Sequence, residues 1–481
     1  MKKNTPIGIL VIVVVALGWL LFSPSAPAPE ELSEQAAQDT SDEAITSRLP
    51  WSKNKSDKRA TSAVLIESLK GEISSTLPQE TNKIFTQYTP DGFVKIGNGL
   101  GGFEANLDGG DRFSRDHDQA GDINGDGVID LVVGARSDDD GATDAGAVYI
   151  LFMNSDGTVQ ANQKISMLEG GFNETLNEGD FFGYGVAGIG DYDNDGVPDI
   201  AVSAPARSNS ALYVIHLKTN GTVKDFVKNS NITAQGLSAV GDLNGDGRID
   251  LVASDPGSAV GGTNTGAIRI LFLDSTGKII PKATVLINSA SGGFGTGLMA
   301  GDQFGGREVA MLGDIDNDGT KEMAVGAFMS DGGKGAIWIL SLDSTTFKVV
   351  SKVKIAEGLN GFTDILTSGA NPNGTSGANF GHALSKVGDL NGDGVPDLIT
   401  GANQQDQGRG YILYLNADKT VKSYTRIDDV DGGFNLMLEP EERFSRSISY
   451  LGDLRGDGSI AVNVGGGAGG TGALYILFFK P

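Results

Sequence analysis

Five stretches of the chain place oxygen-bearing side chains at fixed intervals around glycine. The first reads "DINGDGVID" from Asp122, and the others begin at Asp191, Asp242, Asp314 and Asp389. Positions 1, 3, 5 and 9 of each stretch carry Asp, Asn or Glu, and the glycine at position 6 lets the backbone turn them inward. A ligand set of oxygens with several carboxylates selects a hard cation, and calcium tolerates an irregular geometry that magnesium does not. The pattern therefore predicts about five bound Ca²⁺ ions.

The predicted ligands are the four side chains of each stretch and the backbone carbonyl at position 7. In chain order they are Asp122, Asn124, Asp126, Val128 and Asp130; Asp191, Asp193, Asp195, Val197 and Asp199; Asp242, Asn244, Asp246, Arg248 and Asp250; Asp314, Asp316, Asp318, Thr320 and Glu322; and Asp389, Asn391, Asp393, Val395 and Asp397.

An EF-hand loop also fits the first six positions of these stretches. It needs a glutamate at position 12 and a helix after it. The residues at position 12 lie in β-rich runs instead, and they are Val133, Val202, Ala253, Val325 and Thr400. The acid lies at position 9, which argues against an EF-hand. The five stretches hold seventeen carboxylates, and because like charges repel at short range, we expect the calcium to be structural.

Similarity between the stretches extends beyond the acidic residues. Each is followed by a β-rich run such as "DLVVGA", a further strand such as "GAVYILF", and a hairpin turn with a short fourth strand. A degenerate sixth copy ends the chain, and the first aspartates of consecutive copies lie 51 to 75 residues apart. A four-stranded unit cannot bury both of its faces alone and must pack against its neighbours. The sequence predicts an all-β fold, a six-bladed β-propeller of four-stranded blades.

The two ends of the repeat region predict how the ring closes. The sixth copy stops after its third strand, at Phe479, and a spare strand of the fourth type spans Gly92 to Gly97. Pairing of that strand beside Leu474 to Phe479 would complete the sixth blade and remove an exposed edge. A seven-bladed ring with one unrecognised blade is the alternative.

Composition excludes several classes of protein. The net charge of −24 opposes a nucleic-acid partner, because phosphate binding needs clusters of basic side chains. The chain has no cysteine, so neither disulfides nor a thiolate nucleophile are available. Glycine accounts for 71 of 481 residues, which suits short strands joined by tight turns.

The N-terminus predicts export. Lys2 and Lys3 precede an apolar run from Ile7 to Phe22, so residues 1–22 are interpreted as a signal anchor or a cleaved signal peptide. Residues 23–58 are a predicted disordered linker rich in Pro, Ser and Glu, residues 59–90 a short helix and linker, and residues 91–481 the propeller. The basic N-terminus places the propeller outside the cytoplasm, either anchored in the membrane through the N-terminal segment or secreted. The sequence leaves the oligomeric state open.

The repeats resemble the FG-GAP repeats of integrin α-subunit propellers and their bacterial relatives, over about residues 92 to 481. The motif residues are Phe182-Gly183, Phe304-Gly305, Phe380-Gly381, Gly326-Ala327 and Gly401-Ala402. The resemblance implies a calcium-binding propeller that uses the face opposite the calcium loops for its ligand. The third repeat lacks the FG pair. The sixth loop has Arg455 and Ala461 at ligand positions, so we expect no metal there and an arginine in place of the ion's charge.

These observations favour a non-catalytic binding or adhesion module for protein or glycan partners. Its ligand is expected on the face that carries the variable loops, such as Arg136 to Ala145, Ser254 to Thr265 and Asn403 to Arg409. The three histidines have no evident acid or base partner, and no hydrolase or phosphate-binding motif is present. A calcium-dependent polysaccharide lyase and an envelope assembly scaffold remain as alternatives. An electropositive pocket on the variable face would favour the lyase.

Overall fold

The computed structural model describes residues 89–206, 209–368, 377–428, 433–436, 438, 442–467 and 471–480. The chain divides into two units, Met1–Ile84 and Phe85–Pro481, and the described residues all belong to the second. The predicted signal segment, the linker and the short helix of residues 1–88 lie outside the described residues. Within those residues, no helix is sufficiently long and apolar to span a membrane.

The described residues form six antiparallel sheets of four strands each, as predicted, so the seven-bladed alternative is wrong. Blade 1 contains β2 (Phe113–Gly121), β3 (Asp130–Ala135), β4 (Ala147–Met153) and β5 (Val159–Ile165). Blade 2 contains β6 (Val186–Gly190), β7 (Asp199–Ala204), β8 (Ala211–Leu217) and β9 (Val223–Ser230). Blade 3 contains β10 (Gly236–Ala239), β11 (Leu251–Asp255), β12 (Ala267–Leu271) and β13 (Val285–Ile287).

Blade 4 contains β14 (Phe304–Gly313), β15 (Lys321–Ala327), β16 (Ala336–Leu342) and β17 (Val349–Ile355), with one helical turn, α1 (Ser330–Gly333). Blade 5 contains β18 (Phe380–Gly388), β19 (Asp397–Ala402), β20 (Arg409–Leu415) and β21 (Val421–Ile427). Blade 6 contains β22 (Ile448–Gly452), β23 (Ile460–Gly466) and β24 (Ala473–Lys480), and its fourth strand is β1 (Thr89–Ile96).

Strand β1 closes the ring as the sequence predicts. It pairs antiparallel with β24, and Phe93 lies opposite Leu477 while Ile96 lies opposite Leu474. The first strands of the six blades contact one another in cyclic order, and β22 of the last blade contacts β2 of the first. The described blades therefore form a closed ring in which β1 covers the edge that β24 would otherwise expose.

The middle strands of each blade are apolar because both of their faces are covered. All seven residues of β4 and of β8 are buried. In the outer strands β5 and β9, the second and third residues are exposed and the next three are only partly buried. Six hydrophobic clusters each join two consecutive blades, and one of them joins Leu131 and Tyr149 of blade 1 to Leu474 of blade 6. Burial of apolar area between blades thus stabilises the ring.

Phenylalanines that directly follow glycine in the connections between consecutive blades belong to these interfaces. They are at most 6 % exposed, and they are Phe103, Phe172, Phe294, Phe362 and Phe434. Phe172 stacks on Phe182 with ring centroids 4.6 Å apart. Nearby, Gly146 has φ +91°, and a Cβ there would lie 2.1 Å from the carbonyl oxygen of Phe182 in the next blade. These residues pack blades together and are not available to a ligand.

The closing strand predicts the effect of a core substitution. Ile96 is fully buried at the interface between blades 6 and 1, so Ile96→Ala is expected to lower the free energy of unfolding by about 2–5 kcal/mol. Ile365 is 78 % exposed, and Ile365→Ala is expected to change the free energy of unfolding by less than about 0.5 kcal/mol. Denaturant unfolding of both variants measures the difference. Equal losses of unfolding free energy in the two variants would contradict the assignment of β1 as a structural strand.

Candidate functional site

The acidic stretches occupy equivalent positions in their blades. Each connects the first strand to the second, as residues 122–129 do between β2 and β3, and the same holds in blades 2 to 5. In an antiparallel meander, first and third connections lie at the same end of the blade. The amide of Met153, where the third connection of blade 1 begins, donates to Asp130 at the end of its acidic stretch. We call this end of the ring the acidic face. We call the other end, where Arg115, Arg307 and Arg446 lie near the start of the inner strands, the arginine face.

The carboxylate at position 1 holds each loop in its turn. The Oδ1 atom of Asp122 accepts from the amide of Asp126 at 3.0 Å, and its Oδ2 atom accepts from the amide of Gly127 at 2.8 Å. The same two bonds recur at position 1 of the other loops, including the degenerate sixth loop, where Asp453 makes them. The loop conformation therefore follows from the side chain that begins it.

The acid at position 9 is buried in every complete loop. Asp397 accepts from the amide of Leu390 at 2.9 Å and from that of Leu415 at 3.1 Å, so it joins the loop to the end of the third strand. Burial raises the pKa of Asp130, Asp199 and Asp250 to about 6 and that of Asp397 to about 7. A neighbouring cation would favour the charged form of these carboxyl groups.

Carboxylate oxygens converge most closely in the loops of blades 2 and 4. Single oxygens of Asp191, Asp193 and Asp195 lie within 4.8 Å of one another, and so do oxygens of Asp314, Asp316 and Glu322. In the remaining three complete loops, position 3 is an asparagine, and Asn124 donates to Asp126 at 2.9 Å. Three of the four predicted side-chain ligands thus lie together in the loops of blades 2 and 4, without Asp199 and Asp318 respectively. In all five complete loops, the position-7 amide donates to the position-5 carboxylate.

Lysine ammonium groups lie where a cation would interact with these oxygens. The Nζ atom of Lys224 is 2.6 Å from an oxygen of Asp193 and 2.6 Å from an oxygen of Asp195. Lys419 from blade 5 pairs with Asp316 of blade 4, and Lys422 lies 2.9 Å from Asp393. The oxygen-only donor set and its convergence on a positive charge both fit a divalent cation.

The sixth loop differs as expected at its ligand positions, but its arginine does not enter the loop. The guanidinium of Arg455 pairs with Asp91 of β1 at 2.8 Å, and its central carbon lies 3.5 Å from the centroid of the Phe478 ring. Arg455 therefore binds the closing strand to blade 6 instead of substituting for an ion among the loop carboxylates.

The sequence indicated no acid or base partner for any of the three histidines, and the structure differs at His216. His216 pairs with Asp225 and lies 3.9 Å from Asp193 of the blade 2 loop, so it has an acidic partner. His382 lines a cavity on the arginine face, and His117 is buried and interacts with Ser447 and the carbonyl oxygen of Asn463.

The cavity on the arginine face was missed by the sequence analysis. It has a volume of about 250 Å³ and lies where the six inner strands begin. Six of its lining residues lie seven positions before the first aspartate of each loop, one per blade, and they are Arg115, Tyr184, Gln235, Arg307, His382 and Arg446. The signal was available as a column of the repeat alignment. The residue at that position differs between blades, being Arg, Tyr, Gln or His, so the sequence did not indicate a shared site.

Arginine side chains dominate the electrostatics of this cavity. The guanidinium carbons of Arg136 and Arg307 lie 4.5 Å and 4.8 Å from the centroid of the Tyr184 ring. Burial alone would raise the pKa of Tyr184, but the charges of Arg307, Arg115 and Arg136 outweigh it and lower the pKa to about 7. Among the described residues, none of these three arginines or Arg446 forms an ion pair with a carboxylate.

Two buried carboxyl groups follow the arginines in the inner strands. Asp116 accepts from the amide of Val186 at 3.1 Å, and burial raises its pKa to about 6. Burial and the neighbouring Asp116 raise the pKa of Glu308 well above its usual value. The amide of Val186 is thus paired to Asp116, whereas the Glu308 carboxylate has no hydrogen-bond partner among the described residues.

Comparisons with known proteins agree with the repeat pattern. A family model described as an FG-GAP-like repeat matches residues 191–253, and one described as an FG-GAP repeat matches residues 119–151 and 380–413. Integrin alpha-V of Gallus gallus is 28 % identical over 233 residues, which are 46 % of this chain and 20 % of the integrin. Integrin alpha pat-2 of Caenorhabditis elegans is 30 % identical over 263 residues, 51 % of this chain and 20 % of that protein.

An enzyme also shares part of the repeat region. Phosphatidylinositol-glycan-specific phospholipase D of Bos taurus is 30 % identical over 169 residues, which are 32 % of this chain and 20 % of the enzyme. The matched region of this chain thus corresponds to about one fifth of the length of each of these relatives.

The position-9 acids predict a difference between two otherwise equivalent substitutions. In Asp397→Asn, an amide nitrogen replaces an oxygen that accepts a backbone N–H, which is expected to lower the free energy of unfolding by about 1–3 kcal/mol. In Asp250→Asn, the nitrogen can take the place of the Oδ1 atom, which has no partner among the described residues, so a smaller loss is expected.

Urea unfolding of both variants in the presence of a chelator measures the difference without contributions from bound metal. Equal losses in the two variants would contradict a role for the paired amides in holding the loop.

Proposed function

This chain is an FG-GAP repeat propeller, and from that premise we propose that it is an exported or membrane-anchored calcium-binding module that binds a protein or glycan partner without catalysing a reaction. The observation that carries the calcium assignment is the convergence of oxygen ligands in equivalent loops at one end of the ring. The lysines that contact the same oxygens support a site for positive charge.

Calcium would supply charge neutralisation and oxygen coordination in the five complete loops. Carboxylates at positions 1, 5 and 9 of each loop and the oxygen side chain at position 3 would hold it, together with the carbonyl at position 7. Because seventeen carboxylates lie on one face, the ions would relieve repulsion that otherwise opposes folding. We assign the ions a structural role.

The proposed location follows from the affinity of such sites. Extracellular calcium modules bind at about 0.1–1 mM, which suits a compartment outside the cytoplasm. The basic and apolar N-terminus of residues 1–22 supports export, and the acidic composition of the chain supports partners other than nucleic acid. We assign residues 23–88 to a linker region and residues 89–481 to the propeller, because β1 begins at Thr89 and not at the predicted residue 91.

The proposed ligand surface is the arginine face. Its loops vary between blades, whereas the third connections on the acidic face are short turns stabilised by their own side chains, such as that of Asp156 with Thr158. Integrin relatives support a role in binding to another protein or to a surface. An envelope scaffold would use the same face for assembly partners.

One observation favours a second candidate, a polysaccharide lyase. The arginine-lined cavity contains Tyr184, whose pKa is lowered to about 7, next to groups that could pair with a uronate carboxylate. Incubation of the calcium-loaded protein with polyuronates tests this candidate, since a lyase releases products with a carbon–carbon double bond that absorbs ultraviolet light. Absence of such products over a range of polyuronates would leave the binding function alone.

Calcium removal predicts a loss of stability. Because ions that bind only the folded ring stabilise it, a chelator is expected to lower the melting temperature substantially. Isothermal titration of the chelated full-length chain is expected to give about five sites. An unchanged melting temperature after chelation would overturn the calcium assignment.

Two matched variants locate the ions. Asp191→Asn removes the first ligand of a complete loop and is expected to remove one site from the titration. Asp453→Asn makes the same change in the sixth loop, where Arg455 and Ala461 occupy ligand positions, and is expected to leave the number of sites unchanged. Loss of a site in the Asp453 variant would contradict the assignment of that loop as metal-free.

Binding to cell envelopes tests the module itself. Calcium-loaded full-length protein is expected to bind intact envelopes, and substitutions in the variable loop of residues 403–409 are expected to weaken that binding. Substitution of Thr158, in a turn of the acidic face, serves as the control. Equal effects at both faces would contradict the proposed ligand surface.

A further inference from the structure

We propose that the cavity at the centre of the arginine face binds the carboxylate end of an acidic sugar, a hexuronate unit or its equivalent. The inference rests on the proposed binding function, since it names the ligand class of that face, but it does not depend on calcium. Each blade contributes one residue to the cavity, located in its inner strand or within two residues of the start of that strand.

The cavity carries positive charge, and no carboxylate among the described residues forms an ion pair with its arginines. Arg115, Arg307 and Arg446 line it, and Arg136 lies over the ring of Tyr184, another lining residue. The Nε atoms of all but Arg307 are buried without a hydrogen-bond partner among the described residues. Even if Asp116 and Glu308 are both ionised, two carboxylates face four guanidinium groups. Buried guanidinium nitrogens that lack a partner are costly unless an acceptor such as an anion completes them.

Arginine is suited to a carboxylate in particular. Its planar guanidinium presents paired N–H donors that match two carboxylate oxygens. The Nη1 atom of Arg307 donates to the carbonyl oxygen of Gln235 at 3.2 Å, which fixes the side chain. Arg307 is only 6 % exposed, so a pair formed there would be shielded from solvent.

The remaining lining indicates a sugar and not a simple anion. Asn403 is 2 % exposed, and its Oδ1 atom has no hydrogen-bond partner among the described residues, so it needs a donor such as a hydroxyl group. Gln235 and Gln303 add further amide groups, and the half-buried Phe328 offers an apolar surface on which a sugar ring can lie. Carboxylate, hydroxyl groups and an apolar ring face together describe a sugar acid.

Size limits how much of the ligand enters. The volume of about 250 Å³ is somewhat below the roughly 300 Å³ at which pockets for drug-sized ligands begin. One sugar unit therefore fits the cavity, and the rest of an oligosaccharide would extend over the variable loops. The terminal unit of an acidic glycan is the expected ligand.

The test uses digalacturonate as the probe and its dimethyl ester as the matched neutral ligand. Isothermal titration of the calcium-loaded full-length chain is expected to show saturable binding of digalacturonate and none of the ester. Loss of one charged hydrogen bond is typically worth about 1.5–3 kcal/mol. Arg307→Gln and Arg446→Gln are therefore each expected to weaken binding at least about tenfold.

Matched controls separate binding from folding. Lys218→Gln removes one positive charge from an exposed position on the acidic face and is expected to change the affinity less than about twofold, since exposed charges are screened. Arg446→Lys keeps the charge and is expected to retain part of the affinity. Digalacturonate is expected to raise the melting temperature of the unsubstituted protein but not that of Arg307→Gln.

Each outcome decides between alternatives. Equal binding of the dimethyl ester, or tighter binding of a glutamate-rich peptide or of inorganic phosphate, would overturn the sugar-acid assignment. Absence of digalacturonate binding, together with continued binding to envelopes, would refute this inference and leave the proposed function standing. Digalacturonate binding without envelope binding would support the cavity and count against the wider function.

Discussion

No blade of this protein can bury both of its faces alone, and this constraint determines the rest of the structure. The middle strands are apolar on both sides, so each needs a neighbour on either side, and only a closed ring gives every blade two. Strand β1 completes that ring from the other end of the repeat region. Closure brings residues far apart in sequence to equivalent positions around one axis. The arginine-lined cavity and the arrangement of the acidic loops at one end of the ring are consequences of that geometry, whereas each loop is formed locally.

Charge is divided between the two ends of the inner strands. One end leads into loops that gather carboxylates, and the other begins with a column that includes Arg115, Arg307 and Arg446. Lysines and buried amides partly satisfy the carboxylates, as at Asp193 and Asp397. No described carboxylate pairs with the arginines of the cavity. The ligands that we propose for the two ends are therefore of opposite sign, a cation in each of the five complete loops and an anion at the centre.

Much of the fold could be predicted because the same pattern of strands and loops occurs six times in the sequence. Six copies fixed the number of blades, and the unpaired segment near Gly92 indicated how the ring closes. The loop ligands followed from spacing alone, since they lie within nine residues of each other. The cavity could not be read in the same way, because Arg115 and Arg307 are 192 residues apart and meet only after closure. The pairing of Arg455 with Asp91 was missed for the same reason, because Asp91 lies at the opposite end of the repeat region in sequence.

The two ends are connected by the inner strands, but that connection does not by itself make them coupled. A ligand at one site alters affinity at another only when it favours one conformation over a second. The inner strand β2 is paired to β3 and packed between neighbours, so ions in the loops act mainly on whether the ring is folded. Within the folded ring, the arginine positions are set by contacts such as that of Arg307 with Gln235, which involve no loop residue. The proposed metal ions would therefore set the fraction of molecules that can bind, and the proposed ligand site in the cavity would set what they bind.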